Sequence, residues 1–331
     1  MKKSCWRATM VQSKLSPKLK KFATAYTVYV LLILFWIASS LFVKNFITLY
    51  NMVTIVIVCT SISLVSLGQN MVILTGGIDL SVGAVLSLAT ALASIFMKSD
   101  TILGVAVALA AGLLIGLFNG LIVSKLKIEP FIVTLGSMGI ASGLALYLRP
   151  APGGYISPEF INLVFYSIKI FDVNFPITCF LILVLTTIFG EIVLLKRNLG
   201  RMIYAVGGNE QYARLMGVPV DRVKIICYCI SGLTAALAGL YISAMTRVGS
   251  PFVGDPFTLY SIIAVTLGGT SIQGGVGRYI NTVGAAIIVA SIERLMNQIG
   301  VLGIMGSWFT WIVEGIFLVI VIVLSMKVKG K

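Results

Sequence analysis

Histidine is absent from the 331 residues. That removes histidine-based catalytic triads, imidazole metal sites and histidine proton relays. Charge is scarce as well: 11% of residues are charged, and Asp and Glu together number 11. Soluble domains carry roughly 25% charged residues, so this is not the composition of one. The five cysteines, Cys5, Cys59, Cys179, Cys227 and Cys229, form no Cys-x-x-Cys pair and lie mostly in apolar runs, as buried small hydrophobes do. No Gly-x-x-x-x-Gly-Lys-Ser/Thr loop occurs, so the chain does not bind ATP in that way. An intramembrane enzyme would need a nucleophile and base within reach. No Ser–His, paired Asp or zinc motif supplies them, and no metal or cofactor is expected.

What remains is apolar: 58% of the chain is hydrophobic and the mean hydropathy is +1.04. This is an integral membrane protein. The net charge of +14 would suggest nucleic acid in a soluble chain, but here Lys and Arg sit between apolar runs as topology determinants.

The stretch Val72-Ile-Leu-Thr-Gly-Gly-Ile-Asp-Leu-Ser-Val-Gly83 is a break between two apolar runs. Gly76 and Gly77 can close a helix in the left-handed region, and Asp79 or Ser81 can cap the next one. Flanks this apolar predict a membrane re-entry or tight hairpin, tolerated at depth only under protein or beside a wet cavity. Asp79 then either caps the following helix or contacts what is carried. Val265–Gly277 echoes this stretch with a glycine pair, a serine and further glycines, as the second copy of a duplicated core would, and its small residues are read either as close helix packing or as part of a pathway.

Apolar runs at 22–43, 52–75, 80–97, 101–124, 131–148, 176–195, 223–246, 258–273, 280–300 and 308–326 predict an all-α integral membrane protein of about ten transmembrane helices. The first lacks a small-residue cleavage site and is read as a retained helix. The expected domains are a basic tail over 1–21, a transmembrane unit over 22–326 and a basic tail over 327–331. With both termini cytoplasmic, only Lys44, Lys98, Arg149, Lys169 and Arg247 fall on the outer side, while the tails, Lys125, Lys127, Lys196, Arg197 and Arg201 fall inside. Residues 149–175 form an external loop ordered by turns. Residues 198–222 form the one long cytoplasmic loop, where Asn209 is an N-cap, Glu210 favours a helix start, and Gly217 and Pro219 stop it. A helix of about two turns over Glu210–Met216 follows. At the end of the chain, Arg294 and Glu314 are expected roughly 9 Å deep on the same side of neighbouring helices, and hence as a structural ion pair.

Several motifs resemble a known family in order along the chain: Leu74-Thr-Gly-Gly-Ile-Asp-Leu-Ser-Val-Gly83, Asn119-Gly-Leu-Ile-Val123, Pro130-Phe-Ile-Val-Thr-Leu-Gly136, Gly207-Gly-Asn-Glu210, Ala213-Arg-Leu-Met-Gly217, Val220-Asp-Arg-Val-Lys-Ile225, Ser231-Gly-Leu233 with Ala238-Gly239, and Leu267-Gly-Gly-Thr-Ser271. The chain is similar to the ribose/xylose/galactose-type ABC sugar permeases, the inner-membrane components of binding-protein-dependent import. The resemblance implies a permease that pairs with a second permease copy, identical or not. It also implies a cytoplasmic ATP-binding protein and a periplasmic sugar-binding protein as partners, and a bacterial inner-membrane location. It makes Asn209, Glu210, Gln211, Tyr212, Ala213, Arg214 and Gly217 the coupling helix that contacts the ATPase. Candidates for the translocation path are Asn70, Gly76, Gly77, Asp79, Ser81, Asn119, Thr270 and Ser271. Two departures stand out: Gln211-Tyr212-Ala213 replaces the family's Glu-Ala-Ala, and Thr258-Leu-Tyr-Ser-Ile262 replaces a stretch that often carries acids.

The function expected is ATP-driven import of a monosaccharide by alternating access. A related permease for a nucleoside, a branched-chain amino acid or a signalling furanose differs only in cargo. A secondary transporter would have Asp79, Glu293 and Glu314 as its intramembrane ion-site candidates, and leaves the capped cytoplasmic helix without a role.

Overall fold

The computed structural model describes residues 17–170 and 173–301, together with Ile312, Gly315 and Ile316. The expected tail over 327–331 and most of the expected span over 308–326 lie outside them. The helices are α1 (Pro17–Phe42), α2 (Leu49–Leu74), α3 (Val82–Phe96), α4 (Thr101–Lys125), α5 (Pro130–Leu148), α6 (Pro158–Val164), α7 (Ile177–Lys196), α8 (Asn198–Gly208), α9 (Glu210–Leu215), α10 (Val220–Thr246), α11 (Asp255–Leu267) and α12 (Tyr279–Val301). One antiparallel hairpin, β1 (Ile168–Ile170) with β2 (Val173–Phe175), departs from the all-α expectation. α1 begins at Pro17, inside the segment expected to be a polar tail.

Among the described residues, six helices are long and apolar enough to cross a membrane: α2, α4, α5, α7, α10 and the Tyr279–Gln298 part of α12. Two of the runs expected to span hold helices too short to do so by themselves. α3 has 15 residues and α11 has 13, which at 1.5 Å per residue is about 20 Å, well short of a ~30 Å hydrocarbon core. Their apolar runs continue into irregular backbone, which hydropathy does not distinguish from helix.

α2 and α10 form the buried centre and run antiparallel. Gly68 lies against Ser231, whereas the Tyr241 hydroxyl near the far end of α10 donates to the Ile57 carbonyl at 3.0 Å. Each central helix ends alike. Thr75 is followed by Gly76 at φ 85°, and Thr246 by Arg247 at φ 62°. An irregular segment then leads into a short helix, α3 after α2 and α11 after α10. These two short helices meet N-terminus to N-terminus. The Gly83 N–H donates to Thr258 Oγ1 at 3.2 Å, and the Gly254 N–H donates to Ser87 Oγ at 2.9 Å. Gly68 and Gly239, Gly76 and Arg247, Gly83 and Gly254, and Ser87 and Thr258 all stand at one constant offset in sequence. The core is therefore an inverted duplication of a long helix, a re-entrant turn and a half-helix, an architecture recurrent in transporters. The echo at Val265–Gly277 is not the second copy; that copy is the segment from Thr246 to Gly254.

The rest of the chain clads this core. The Glu191 carboxylate on α7 receives the Ile280 N–H at 2.8 Å and pairs with Arg278 at 2.8 Å, so a side chain from a neighbouring helix caps α12. Arg294 on α12 donates to Asn51 Oδ1 from Nε at 3.0 Å and Nη2 at 2.8 Å, and its guanidinium lies 5.5 Å from the centre of the Tyr50 ring. Its expected partner, Glu314, lies outside the described residues. α4, α5 and α7 turn large apolar side chains outward, among them Leu114, Ile132 and Leu185, as lipid-facing helices do.

The meeting point leaves no room for a side chain. A Cβ on Gly254 would lie 1.9 Å from the Gly83 carbonyl oxygen, and one on Gly83 would lie 2.4 Å from the Gly254 oxygen. Both obstacles are backbone. Gly254→Ala and Gly83→Ala are each expected to destabilise the fold by at least ~1–3 kcal/mol, read as a lowered melting temperature and poor monodispersity in detergent. Gly208→Ala, where a Cβ meets nothing within 4 Å, should leave both unchanged.

Candidate functional site

The sequence candidates fall into three groups. The first surrounds Asp79, which is 1% exposed. Its Oδ1 accepts from the Ser81 N–H at 3.0 Å and the Ser81 hydroxyl at 2.6 Å, and its Oδ2 accepts from the Ser231 hydroxyl at 2.7 Å. Asn119 Nδ2 then donates to Ser81 Oγ at 3.0 Å. One carboxylate thus ties the re-entrant turn to α4 and α10. The expectation that Asp79 or Ser81 caps α3 through its free N–H groups is not met. Ser81 is the N-cap but makes no side-chain cap bond, because its hydroxyl is already committed to Asp79. Asp79 instead closes the turn just before the helix, as aspartates do in Asx turns.

The second group lies below the first on the face that carries α8 and α9. Asn70 Nδ2 donates to Thr270 Oγ1 at 2.9 Å and Thr282 Oγ1 at 2.7 Å, linking α2 to the start of α12. Ser271 is not in this cluster; its backbone closes a local turn with Gly274 and Val276. Gly76 and Gly77 sit where the re-entrant turn, the loop over 268–278 and the end of α8 converge. The Gly275 N–H donates to the Leu74 carbonyl at 3.0 Å, and a Cβ on Gly207 would lie 1.8 Å from that same oxygen. Asn70, Asp79, Ser81, Asn119 and Thr270 are all at most 1% exposed. They are packed inside one chain and bonded to each other.

The third group is α9. The Asn209 side chain caps it by accepting from the Tyr212 N–H at 3.0 Å. Gly217, at φ 79°, ends it, with the Val218 N–H returning to the Ala213 carbonyl at 3.0 Å. Ala213 is buried against the body of the protein, while Tyr212, Leu215 and Met216 are 69%, 81% and 84% exposed. Ion pairs hold this helix: Glu210 with Arg214 at 3.1 Å and Lys224 at 2.6 Å, and Asp221 with Arg214 at 2.6 Å and Lys125 at 3.3 Å. Gln211 lies on its exposed side. Burial works against charge on Glu210, but the hydrogen bonds from Lys224 and Arg214 outweigh it and hold the carboxyl below its usual range.

Sequence reasoning did not assign Ser231, Thr282, Ser87 or Thr258 to the site: Ser87 and Thr282 are hydroxyls in apolar helices with nothing local to mark them, and Ser231 and Thr258 stand in stretches noted only for their family pattern. It also read 198–209 as loop, whereas α8 is helical. Its polar residues and glycines conceal the buried stripe of Gly200, Ile203 and Val206.

A membrane core made of inverted repeats with broken helices is an architecture recurrent in transport proteins. The family described as "branched-chain amino acid transport system / permease component" matches residues 51–326, and the chain belongs to it. The ribose import permease protein of Bacillus subtilis (strain 168) is 35% identical over 270 residues, covering 80% of this chain and 81% of that protein. The L-arabinose transport system permease protein of Escherichia coli (strain K12) is 33% identical over 309 residues, covering 92% of each. The D-allose transport system permease protein of the same strain is 33% identical over 278 residues, covering 82% and 83%. No solved structure matches the chain.

Two outcomes are expected. Asp79→Asn keeps an acceptor for Ser81, and Ser231 can reverse its hydroxyl, so the variant should melt close to the parent protein. Asp79→Ala strands buried hydroxyls and should cost about 1–3 kcal/mol for each, a loss visible in the same melt. For α9, a lowered carboxyl pKa gives stability that is present above the unfolded value and lost as pH falls through the folded one. Exchange protection at Tyr212 and Ala213, corrected for intrinsic rates, should therefore fall on acidification below the usual glutamate range. Glu210→Gln should be less protected at neutral pH and keep only the dependence carried by Asp221, which Arg214 also holds below its usual range; a pH profile unchanged from the parent contradicts the assignment.

Proposed function

We propose that the chain is the permease subunit of a bacterial ABC importer and carries a monosaccharide across the inner membrane. The observation that carries this is the family match over residues 51–326, together with relatives named as ribose, L-arabinose and D-allose permeases along at least 80% of the chain. The proposed unit is a transmembrane body over 22–326 with about ten membrane segments, counting α3 and α11 as half-spans. Basic tails over 1–21 and 327–331 and both termini are cytoplasmic, as the distribution of Lys and Arg supports. An ATP-binding protein docks on α9, whose exposed Tyr212, Leu215 and Met216 offer it an apolar contact. A periplasmic sugar-binding protein delivers the cargo. A second permease copy completes the path and packs on α5, where Gly136, Gly139 and Gly143 meet nothing within 4 Å and allow close helix approach.

Alternating access follows from the division of the chain. Closure of the ATPase subunits moves α9 and tips the bundle. The Asp79–Ser81–Asn119–Ser231 and Asn70–Thr270–Thr282 networks keep the broken-helix core rigid beside the path. A neutral sugar needs hydrogen-bonding groups but no fixed ion site, in keeping with spans nearly free of charge.

The test is uptake by proteoliposomes holding the permease, its ATPase and its binding protein. ATP-dependent accumulation of ribose, arabinose or allose is expected; accumulation of leucine or a nucleoside instead would overturn the choice of cargo. Cysteines introduced at Tyr212 or Leu215 should cross-link to the ATPase, and full labelling of both in the assembled complex contradicts docking there. Gly217→Pro forfeits the left-handed φ and the Gly217 N–H bond to Arg214 at 3.0 Å. It should uncouple ATP hydrolysis from uptake while leaving expression intact.

A further inference from the structure

The second half-helix carries a charge that the first does not. α3 and α11 are equivalent in the duplication, and the offset that pairs Gly83 with Gly254 also pairs Ala84 with Asp255. Ala84 is buried, and α3 starts with no acid in its first turn. A half-helix of this fold therefore needs no carboxylate at its start. Asp255 is exposed, and among the described residues no hydrogen bond or ion pair reaches its carboxylate. Asp79, the acid of the first re-entrant turn, is buried with both oxygens engaged.

The depth of Asp255 excludes lipid as its surroundings. The preceding Gly254 N–H bonds to Ser87 Oγ, and Phe96, at the end of α3 away from α9, lies nine residues beyond Ser87. At 1.5 Å per residue that is about 14 Å, close to the middle of a ~30 Å hydrocarbon core. A carboxylate at that level does not face lipid tails, and an aspartate side chain is too short to reach the headgroups. Intramembrane acids of this kind pair with a partner or face a wet cavity. The same face of an identical copy would offer no partner. Its exposed and half-buried residues include Phe252, Val253, Pro256, Leu259 and Ile262, all apolar, and the Thr258 hydroxyl already donates to the Leu80 carbonyl at 3.3 Å. A wet cavity remains.

We propose that Asp255 lines the translocation path and accepts hydrogen bonds from the hydroxyls of the passing monosaccharide, with the Phe252 ring as the apolar wall beside it. This role rests on the importer reading. Phe252 is 50% exposed, and the Asp255 N–H donates to its carbonyl at 3.2 Å, so one tight turn holds both residues. A sugar matches the pair: it brings hydroxyl donors to the carboxylate and a C–H face to the ring. A site built to bond a hydroxyl rejects the analogue that lacks it, which makes Asp255 a specificity-determining residue.

The experiment uses the permease with its ATPase and binding protein in proteoliposomes. Asp255→Leu should lower the sugar moved per ATP hydrolysed by about tenfold or more, as loss of a hydrogen bond to a charged group does. Hydrolysis stimulated by the loaded binding protein should stay within about twofold of the parent. Asp255→Asn, which keeps one acceptor oxygen, should fall between the two. Unchanged coupling in Asp255→Leu, or uptake and hydrolysis falling in proportion, overturns the proposal. Access is read separately on Asp255→Cys, with a sulfonated methanethiosulfonate that does not cross membranes and peptide mass spectrometry to locate it. The introduced cysteine should react in the assembled complex, and more slowly when the binding protein holds D-ribose, L-arabinose or D-allose than when it is empty. Uptake by the parent with no reaction at this position in any nucleotide state removes the Asp255 role and leaves the importer. A parent complex that moves none of the three sugars removes the importer reading, and the cargo contact with it.

Discussion

Two helix N-termini meeting inside an apolar protein set the terms for everything around them. The first turns of α3 and α11 bring unbonded N–H groups to one point, where water is not available to satisfy them. The solution is reciprocal. Thr258 of α11 accepts from Gly83 at the start of α3, and Ser87 of α3 accepts from Gly254 at the start of α11. Both bonds need backbone contact, which is why both junction residues are glycine. Replacing either hydroxyl residue with an apolar one would leave an N–H group unpaired, so polarity at these two sites is required by the backbone.

The same meeting accounts for Asp79. Each helix N-terminus carries a partial positive charge, and two converge here. A carboxylate close to them is electrostatically favoured, and its oxygens are fully engaged by Ser81 and Ser231. A buried carboxyl group costs least when donors surround it. The network also crosses from the first repeat, through Ser81 and Asn119, to the second through Ser231. It therefore joins the two halves of the duplication at the place where their half-helices begin.

Much of the membrane architecture was legible because burial in lipid writes itself as long apolar runs, and α2, α4, α5, α7, α10 and α12 all coincide with one. The α9 helix was legible for a different reason: an asparagine cap, an acidic first turn and a terminal Gly217 are local signals. The half-helices were not legible, since an apolar re-entrant segment and an apolar helix share one hydropathy. The inverted repeat was hidden by residue identity. Gly76 and Arg247 hold equivalent left-handed positions, as do Asp79 and Ser250 equivalent places in the two turns, so similarity of letters pointed to 265–277 instead. Arg294 shows the limit of depth arguments. Its position predicted that it would seek a partner, but Asn51, which it binds, lies at the start of α2 and is distant in sequence.

The distribution of polar groups separates a stiff part from a compliant one. In the core, Asp79, Ser81, Asn119, Asn70 and Thr270 are buried and bonded, so moving one requires breaking several bonds in a medium that offers no replacement. Around α9 the bonds are ion pairs between half-exposed side chains, which water can replace at small cost. The contacts of α9 are therefore exchangeable, whereas those at the half-helix junction are not. The junction glycines, packed backbone on backbone, have no side-chain freedom with which to yield.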